Sequence, residues 1–75
     1  MKNLENITKN TTEWIISYLT SSDNFKCQLF DILKNEDKLN QEECDIVIND
    51  IENRLSEHGS KCYRNIDDCQ FTVEK

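Results

Sequence analysis

Apolar residues recur every three or four positions along most of the chain, which is the spacing of helices that bury one face. The first such run comprises Leu4, Ile7, Thr11, Trp14, Ile15, Tyr18 and Leu19. It predicts either one helix from about residue 4 or a frayed arm followed by a helix from about residue 11, and we favour an arm that is at least partly helical with a secure helix over 11–20. The second alternative arises because Asn10 and Glu13 have the spacing of a capping box. In both, Trp14 and Tyr18 are expected on the buried face.

The second run predicts a helix over about 23–35, after the break at residues 20–23. Its core stripe is expected to contain Phe25, Leu29, Ile32 and Leu33. Cys27 lies about 160° from Leu29 around the helical wheel. This helix is therefore expected to be covered on two sides.

The third run gives the clearest helix, over about 40–58. Asn40 and Glu43 form a second capping-box pattern, and Gly59 stands where a left-handed C-terminal cap is expected. The core-facing positions are Cys44, Val47, Ile48, Ile51, Leu55 and His58. Short connections between these helices indicate antiparallel neighbours.

The tail over 60–75 has no helical periodicity, although Phe71 and Val73 alternate with polar residues and allow a short extended piece. We expect the tail to pack over the second helix, since Tyr63, Ile66 and Phe71 need burial. The fold class predicted from the sequence is therefore all-α, a small three-helix bundle with an extended C-terminal tail packed on it. Residues 1–75 form one domain.

The net negative charge comes from one third of the chain. The net charge is -6, and residues 36–57 contain eight acidic side chains against Lys38 and Arg54. Such a chain is poorly suited to direct nucleic-acid binding, which needs Lys and Arg at the phosphates. No window has the about 18 apolar residues of a membrane span, and the first residues lack the apolar core of a secretory signal. We expect a cytoplasmic protein, in the host cytoplasm if a phage encodes it.

Four cysteines allow three interpretations. The candidate disulfide residues are Cys27, Cys44, Cys62 and Cys69. Antiparallel packing of the second and third helices favours Cys27 with Cys62 or Cys69, because bridged Cα atoms lie within about 7 Å. A zinc site would combine the last three of these residues with His58, but the sequence has no Cys-x2-Cys pair. The third interpretation is buried thiols in a reducing compartment.

Catalytic and cofactor chemistry receive little support from the sequence. His58 is the sole histidine and has no nucleophile beside it in a recognisable motif. The segment 31–42 resembles a calcium loop in length, but Glu36 stands at the position that requires glycine. We expect a protein that is not an enzyme and that has no catalytic residue, cofactor or metal.

The outer face of the third helix is the candidate partner-binding surface. It is expected to contain Glu42, Glu43, Ile46, Asn49, Asp50, Asn53 and Glu57. Ile46 lies among carboxylates and amides, which is the arrangement of an apolar anchor whose partner is steered by charge. The competing interpretation is a solvated face with one exposed Ile.

Two functions from different classes follow. The first is a small acidic binding protein that inhibits a larger basic protein, one that handles nucleic acid in the version where the acidic helix mimics DNA. Nine Asn, eight Ile and no Ala indicate an AT-rich genome, which favours a phage or bacterial anti-defence or immunity factor. The alternative is a secreted, disulfide-stapled toxin or host-interaction module. We expect a monomer or a weak homo-oligomer, with no membrane partner.

Overall fold

Three helices and three strands make up the computed structural model, which describes residues 3–65 and 70–75. In chain order the elements are α1 (Leu4–Leu19), β1 (Asn24–Cys27), α2 (Leu29–Asn35), α3 (Gln41–Glu57), β2 (Lys61–Asn65) and β3 (Gln70–Glu74). The strands form one antiparallel sheet in the order β1-β3-β2. The prediction of an all-α bundle is therefore wrong, and the fold is α+β.

The predicted second helix is wrong in its first half. Residues 24–27 form β1, where Phe25 pairs with Val73 and Cys27 with Phe71. Phe25 is buried and Lys26 exposed, so this segment follows the two-residue period of a strand. The same Phe25 also fits the helical spacing to Leu29, and the local pattern does not distinguish the two. Residues 24–27 form a strand because they pair with β3, almost 50 residues further along the chain.

The predicted tail is also corrected, because residues 61–65 and 70–74 are two strands of the sheet. β3 is the central strand, and its Phe71 and Val73 point into the core as the alternation indicates. Tyr63 was expected to be buried but is 49% exposed. The expected burial of Ile66 falls outside the described residues.

α1 is a single helix from Leu4, which is the first of the two alternatives. Asn3 caps it, with its Oδ1 accepting from the Asn6 N–H at 3.0 Å. Its buried positions are Thr8, Thr12, Ile15 and Leu19, which pack towards α3. The expectation that Trp14 and Tyr18 are buried is wrong, since they are 47% and 50% exposed.

α3 carries the largest share of the core on one face. Five of its residues are fully buried, namely Cys44, Val47, Ile48, Ile51 and Leu55. They meet α1 on one side and α2 and the inner face of the sheet on the others. The opposite face of α3 is left to solvent. No described helix has the length and apolar character needed to cross a membrane.

Candidate partner-binding surface

Both ends of α3 are fixed by local hydrogen bonds. At the N-terminus the predicted capping box is present, with Asn40 Oδ1 accepting from the Glu43 N–H at 2.8 Å and Glu43 Oε1 accepting from the Asn40 N–H at 2.9 Å. At the C-terminus Gly59 has φ 82, and the Ser60 N–H donates to the Leu55 carbonyl at 3.0 Å. This closure satisfies carbonyls that the helix leaves unpaired and needs the left-handed conformation that glycine adopts without strain. It turns the chain from α3 into β2.

The structure places most of the predicted binding residues on one exposed face of α3. The exposed members are Glu42, Ile46, Asn49, Asp50, Asn53 and Glu57. Asp45 is exposed beside them and adds a fourth carboxylate. Glu43 differs, because it is half-buried and its side chain closes the capping box. We refer to the exposed set, with Asp45 and without Glu43, as the acidic face.

Ile46 is the one large apolar side chain on the acidic face. It is 48% exposed, while its neighbours Val47 and Ile48 are completely buried. Glu42 and Asp50 lie one turn before and after it, since residues four apart are neighbours on a helix surface. An apolar side chain framed by carboxylates offers a partner both a contact and a charge pattern.

Glu52 of α3 is not counted in the acidic face, because an ion pair neutralises its carboxylate. Arg64 of β2 donates from Nη2 at 2.6 Å and from Nε at 3.0 Å to the same carboxylate oxygen, Glu52 Oε1. Both side chains retain partial exposure, so the pair contributes little to the free energy of folding. Its effect is geometric, since it ties the end of β2 to the middle of α3.

The order of the elements allows α3 to be compared with the DNA-contacting helix of a helix–turn–helix unit. α2 and α3, joined by residues 36–40, have the chain order of a helix–turn–helix unit. In DNA-binding units of this kind the second helix enters the major groove, where Lys and Arg meet phosphates. The exposed residues of α3 include no Lys or Arg. This likeness of topology therefore comes without the charge that DNA binding requires.

Of the two pairings favoured from the sequence, Cys27 with Cys62 is not formed. Cys27, Cys44 and Cys62 are free thiols. Cys27 and Cys62 lie on the two outer strands with β3 between them, so their backbones are about two strand spacings, or about 10 Å, apart. A bridge requires less than about 7 Å. Pairings with Cys69 fall outside the described residues.

Burial also keeps these thiols protonated. It raises the pKa of Cys27 to about 11, and burial together with the nearby Glu52 carboxylate raises the pKa of Cys62 to about 11. The pKa of Cys44 is raised as well, chiefly by burial. Since the thiolate is the nucleophile, none of the three is activated as a nucleophile.

The residues considered for zinc do not come together. Cys44 is buried in the first turn of α3, whereas His58 is the exposed C-cap, about 21 Å along the helix. His58 was expected on the core-facing stripe and does not lie there. Among residues 3–65 and 70–75 no group of three His, Cys, Asp or Glu side chains could hold a metal ion.

An open cleft of about 330 Å³ lies between α2, the first turns of α3 and the ends of β2 and β3. Phe30 and Phe71 supply apolar lining, and Lys34 Nζ lies 5.9 Å from the centre of the Phe30 ring. The cleft is bounded at Asn65 and Gln70, where the described chain is interrupted. We assign no cofactor to it.

One exposed feature escaped the sequence analysis. Trp14 and Tyr18 each pack edge-on against the buried Phe25, with ring centres 5.1 Å apart in both pairs. The two exposed rings therefore cover the end of the core beside β1. Thr8 and Thr12 share the helical spacing of Ile15 and Leu19, but the predicted stripe contained Thr11 in their place.

Comparison of the chain with protein-family models, with curated proteins and with solved structures finds no match.

Proposed function

We propose that the protein is a small non-enzymatic inhibitor of phage anti-defence or immunity type, which binds a larger protein with a basic surface through the acidic face of α3. One observation carries the proposal. The exposed residues of α3 include four carboxylates and no Lys or Arg, and they surround the half-exposed Ile46. A rigid helix capped at both ends presents this surface without an ordering cost on binding.

The charge and the apolar side chain have separate parts in this mechanism. The carboxylates steer a basic partner towards α3 and set its orientation, an effect that weakens as salt is added. Ile46 then supplies buried area at the centre of the contact, where most of the binding free energy is usually concentrated. Inhibition follows if the covered basic surface is the one with which the partner binds its own substrate.

If the partner is a protein that handles nucleic acid, the acidic face acts as a mimic of DNA. Four carboxylates extend over the about 22 Å from Glu42 to Glu57. Duplex DNA has about 13 charges over the same length. The acidic face thus reproduces a fraction of the charge of a duplex, and its affinity should depend on salt less steeply than that of DNA.

Affinity capture from the source organism tests the proposal. The full chain and the variant Asp50→Lys plus Glu57→Lys are immobilised in parallel, and retained proteins are identified by mass spectrometry. We expect a basic protein that the unmodified chain retains and the variant does not. The same proteins on both supports would overturn the proposal.

A matched variant controls for the change in net charge. Glu5 and Glu13 are exposed on α1, away from α3, and Glu5→Lys plus Glu13→Lys changes the net charge by the same amount. This control should retain the basic protein. If duplex DNA added to the column displaces that protein, the DNA-mimic version is supported.

The alternative function, a secreted disulfide-stapled module, gains no support from the described thiols. Cys27, Cys44 and Cys62 are free, and the two half-buried ones lie on opposite edges of the sheet.

A further inference from the structure

The outer edge of β2 is open to another strand. The Lys75 N–H donates to the Asp23 carbonyl at 3.0 Å, which fixes the hydrogen-bonding phase of β3. Along an antiparallel strand, residues whose backbone groups bond to one neighbour alternate with residues whose backbone groups face the other way. The backbone groups of Phe71 and Val73 therefore bond to β1, and those of Gln70, Thr72 and Glu74 bond to β2.

On β2 this phase leaves two residues facing away from the sheet. Tyr63 pairs with Thr72 and directs its backbone groups inwards to β3. Cys62 and Arg64 therefore direct their N–H and carbonyl groups outwards. No backbone hydrogen bond to either residue comes from a turn or loop of the described chain. Such an edge is a template for strand addition.

A groove runs beside this edge. It has a volume of about 450 Å³ and lies between β2 and the last turns of α3. Its α3 wall includes Asn53 and Ser56, and its β2 wall includes Cys62 and Tyr63. The Glu52–Arg64 ion pair joins the two elements near one end, and the turn at Gly59 joins them at the other. An extended segment alongside β2 would thus have one side chain in two directed at α3.

The groove continues into the acidic face. Asn53 belongs to both, and Asn49 and Glu57 lie one turn away from it on the same side of α3. Within the groove Lys61 is exposed and Glu52 is paired with Arg64, whereas the exposed charged side chains of α3 beyond the groove are all acidic. Side chains of a bound segment that reach past the groove therefore meet negative charge.

We propose that the edge of β2 takes up an extended, basic segment of the partner as a fourth strand, with its Lys or Arg side chains directed at the acidic face of α3. The inference rests on the proposed function and specifies how the partner is held. Main-chain hydrogen bonds to Cys62 and Arg64 provide binding that does not depend on the segment's sequence, and α3 selects its charge.

The outer edge of β1 is less suited to strand addition and serves as an internal control. By the same alternation Asn24 and Lys26 of β1 face outwards. The Asn24 carbonyl already accepts from Ser22 Oγ at 3.0 Å, so β1 has fewer free outward backbone groups than β2.

The test uses the full chain with one named probe, an acetylated and amidated octapeptide in which Lys alternates with Val and Thr. Amide hydrogen exchange of the ¹⁵N-labelled protein is followed by NMR with and without saturating peptide. We expect the amides of Cys62 and Arg64 to exchange at least about tenfold more slowly with the peptide, and the Lys26 amide to be unchanged. A peptide with Glu in place of Lys should protect neither edge.

A backbone change separates the strand edge from the side chains. Two chains made by chemical synthesis bear an N-methyl group at Cys62 or, as the matched control, at Lys26, so that each loses one outward N–H and keeps every side chain. We expect the first to bind the Lys peptide about tenfold more weakly and the second to bind within about twofold of the parent chain. Equal losses in both chains would overturn the inference.

The remaining outcomes separate this inference from the proposed function. If the peptide binds and Asp50→Lys plus Glu57→Lys weakens it, but the β2 amides stay unprotected, the strand addition is wrong and the acidic face is still the binding surface. If the peptide protects the β2 amides equally in the unmodified chain and in that variant, both the inference and the proposed function are contradicted. If the peptide fails to bind at about 1 mM, the strand addition is overturned, while the capture experiment still decides the proposed function.

Discussion

Thr8 shows at the residue scale how a polar side chain can oppose the packing around it. It is 1% exposed, and its Oγ1 has no hydrogen-bond partner within the described part of the chain. A buried hydroxyl without a partner costs about 1–3 kcal/mol relative to one that is satisfied. Thr12, one turn later, avoids this cost because its Oγ1 donates to the Thr8 carbonyl at 2.7 Å.

Replacing Thr8 with Val should therefore stabilise the protein. Val has the same shape without the hydroxyl, and we expect the free energy of unfolding from urea titration to rise by about 1 kcal/mol. Thr12→Val is the control, because it removes a hydroxyl that is satisfied and should bring no gain. Lower stability for Thr8→Val than for Thr12→Val would show that the Thr8 hydroxyl is satisfied after all.

The half-buried thiols give the stability a dependence on pH. Burial raises the pKa of Cys27 and Cys62 from 9.0 to about 11, so the folded state keeps protons that the unfolded state releases. Unfolding is then favoured as the pH rises, and the free energy of unfolding should fall between pH 9 and about 11. Urea titrations at intervals across this range measure it. In the variant Cys27→Ala plus Cys62→Ala the fall should be smaller, and an unchanged fall would assign it to other groups.

At the scale of elements, the capping box makes a measurable contribution to α3. Asn40 satisfies the Glu43 N–H, which has no partner within the helix. Asn40→Ala should lower the free energy of unfolding by about 1 kcal/mol, measured by urea titration. Asn53→Ala, at an exposed position inside α3, should change it by less than about 0.5 kcal/mol. Equal effects of the two substitutions would mean that the cap contributes nothing specific.

β1 is a strand whose sequence also fits a helix, and amide exchange distinguishes the two. In the strand, the N–H of Phe25 and Cys27 bond to β3, whereas those of Asn24 and Lys26 face outwards. Amide exchange in the free protein should therefore be slow at Phe25 and Cys27 and fast at Asn24 and Lys26. Protection that is uniform from Cys27 through Leu29 would instead indicate the helix.

Local signals in the sequence were enough to place α3 and its ends. The Asn40–Glu43 spacing and Gly59 act through bonds between residues close in the chain, and both motifs are present in the structure. β1 could not be derived in this way, because Phe25 is a strand residue only by virtue of Val73. The exposure of Trp14 and Tyr18 was missed for a related reason, since the packing of α1 on α3 selects the face that contains Thr8 and Thr12.

On the scale of the whole molecule, the sheet explains how a chain with a small core shields it from solvent. β3 lies between strands that come from opposite parts of the chain, and its Phe71 and Val73 are 2% and 0% exposed. The sheet covers one side of the helices, and α1 covers another side of α3. Every apolar position of α3 except Ile46 is thereby buried. The acidic face was predicted from the sequence, because it depends on the helical wheel of α3 alone, and its use as a binding surface remains a proposal.

The affinity of the captured partner for three versions of the chain tests the central claim most directly. Isothermal titration would compare the unmodified chain with Asp50→Lys plus Glu57→Lys on α3 and with Glu5→Lys plus Glu13→Lys on α1. Because each reversal replaces an attraction by a repulsion, we expect the α3 variant to bind about a hundredfold more weakly and the α1 variant to stay within about threefold. Equal Kd values for the two variants would contradict the claim that the acidic face of α3 is the binding surface.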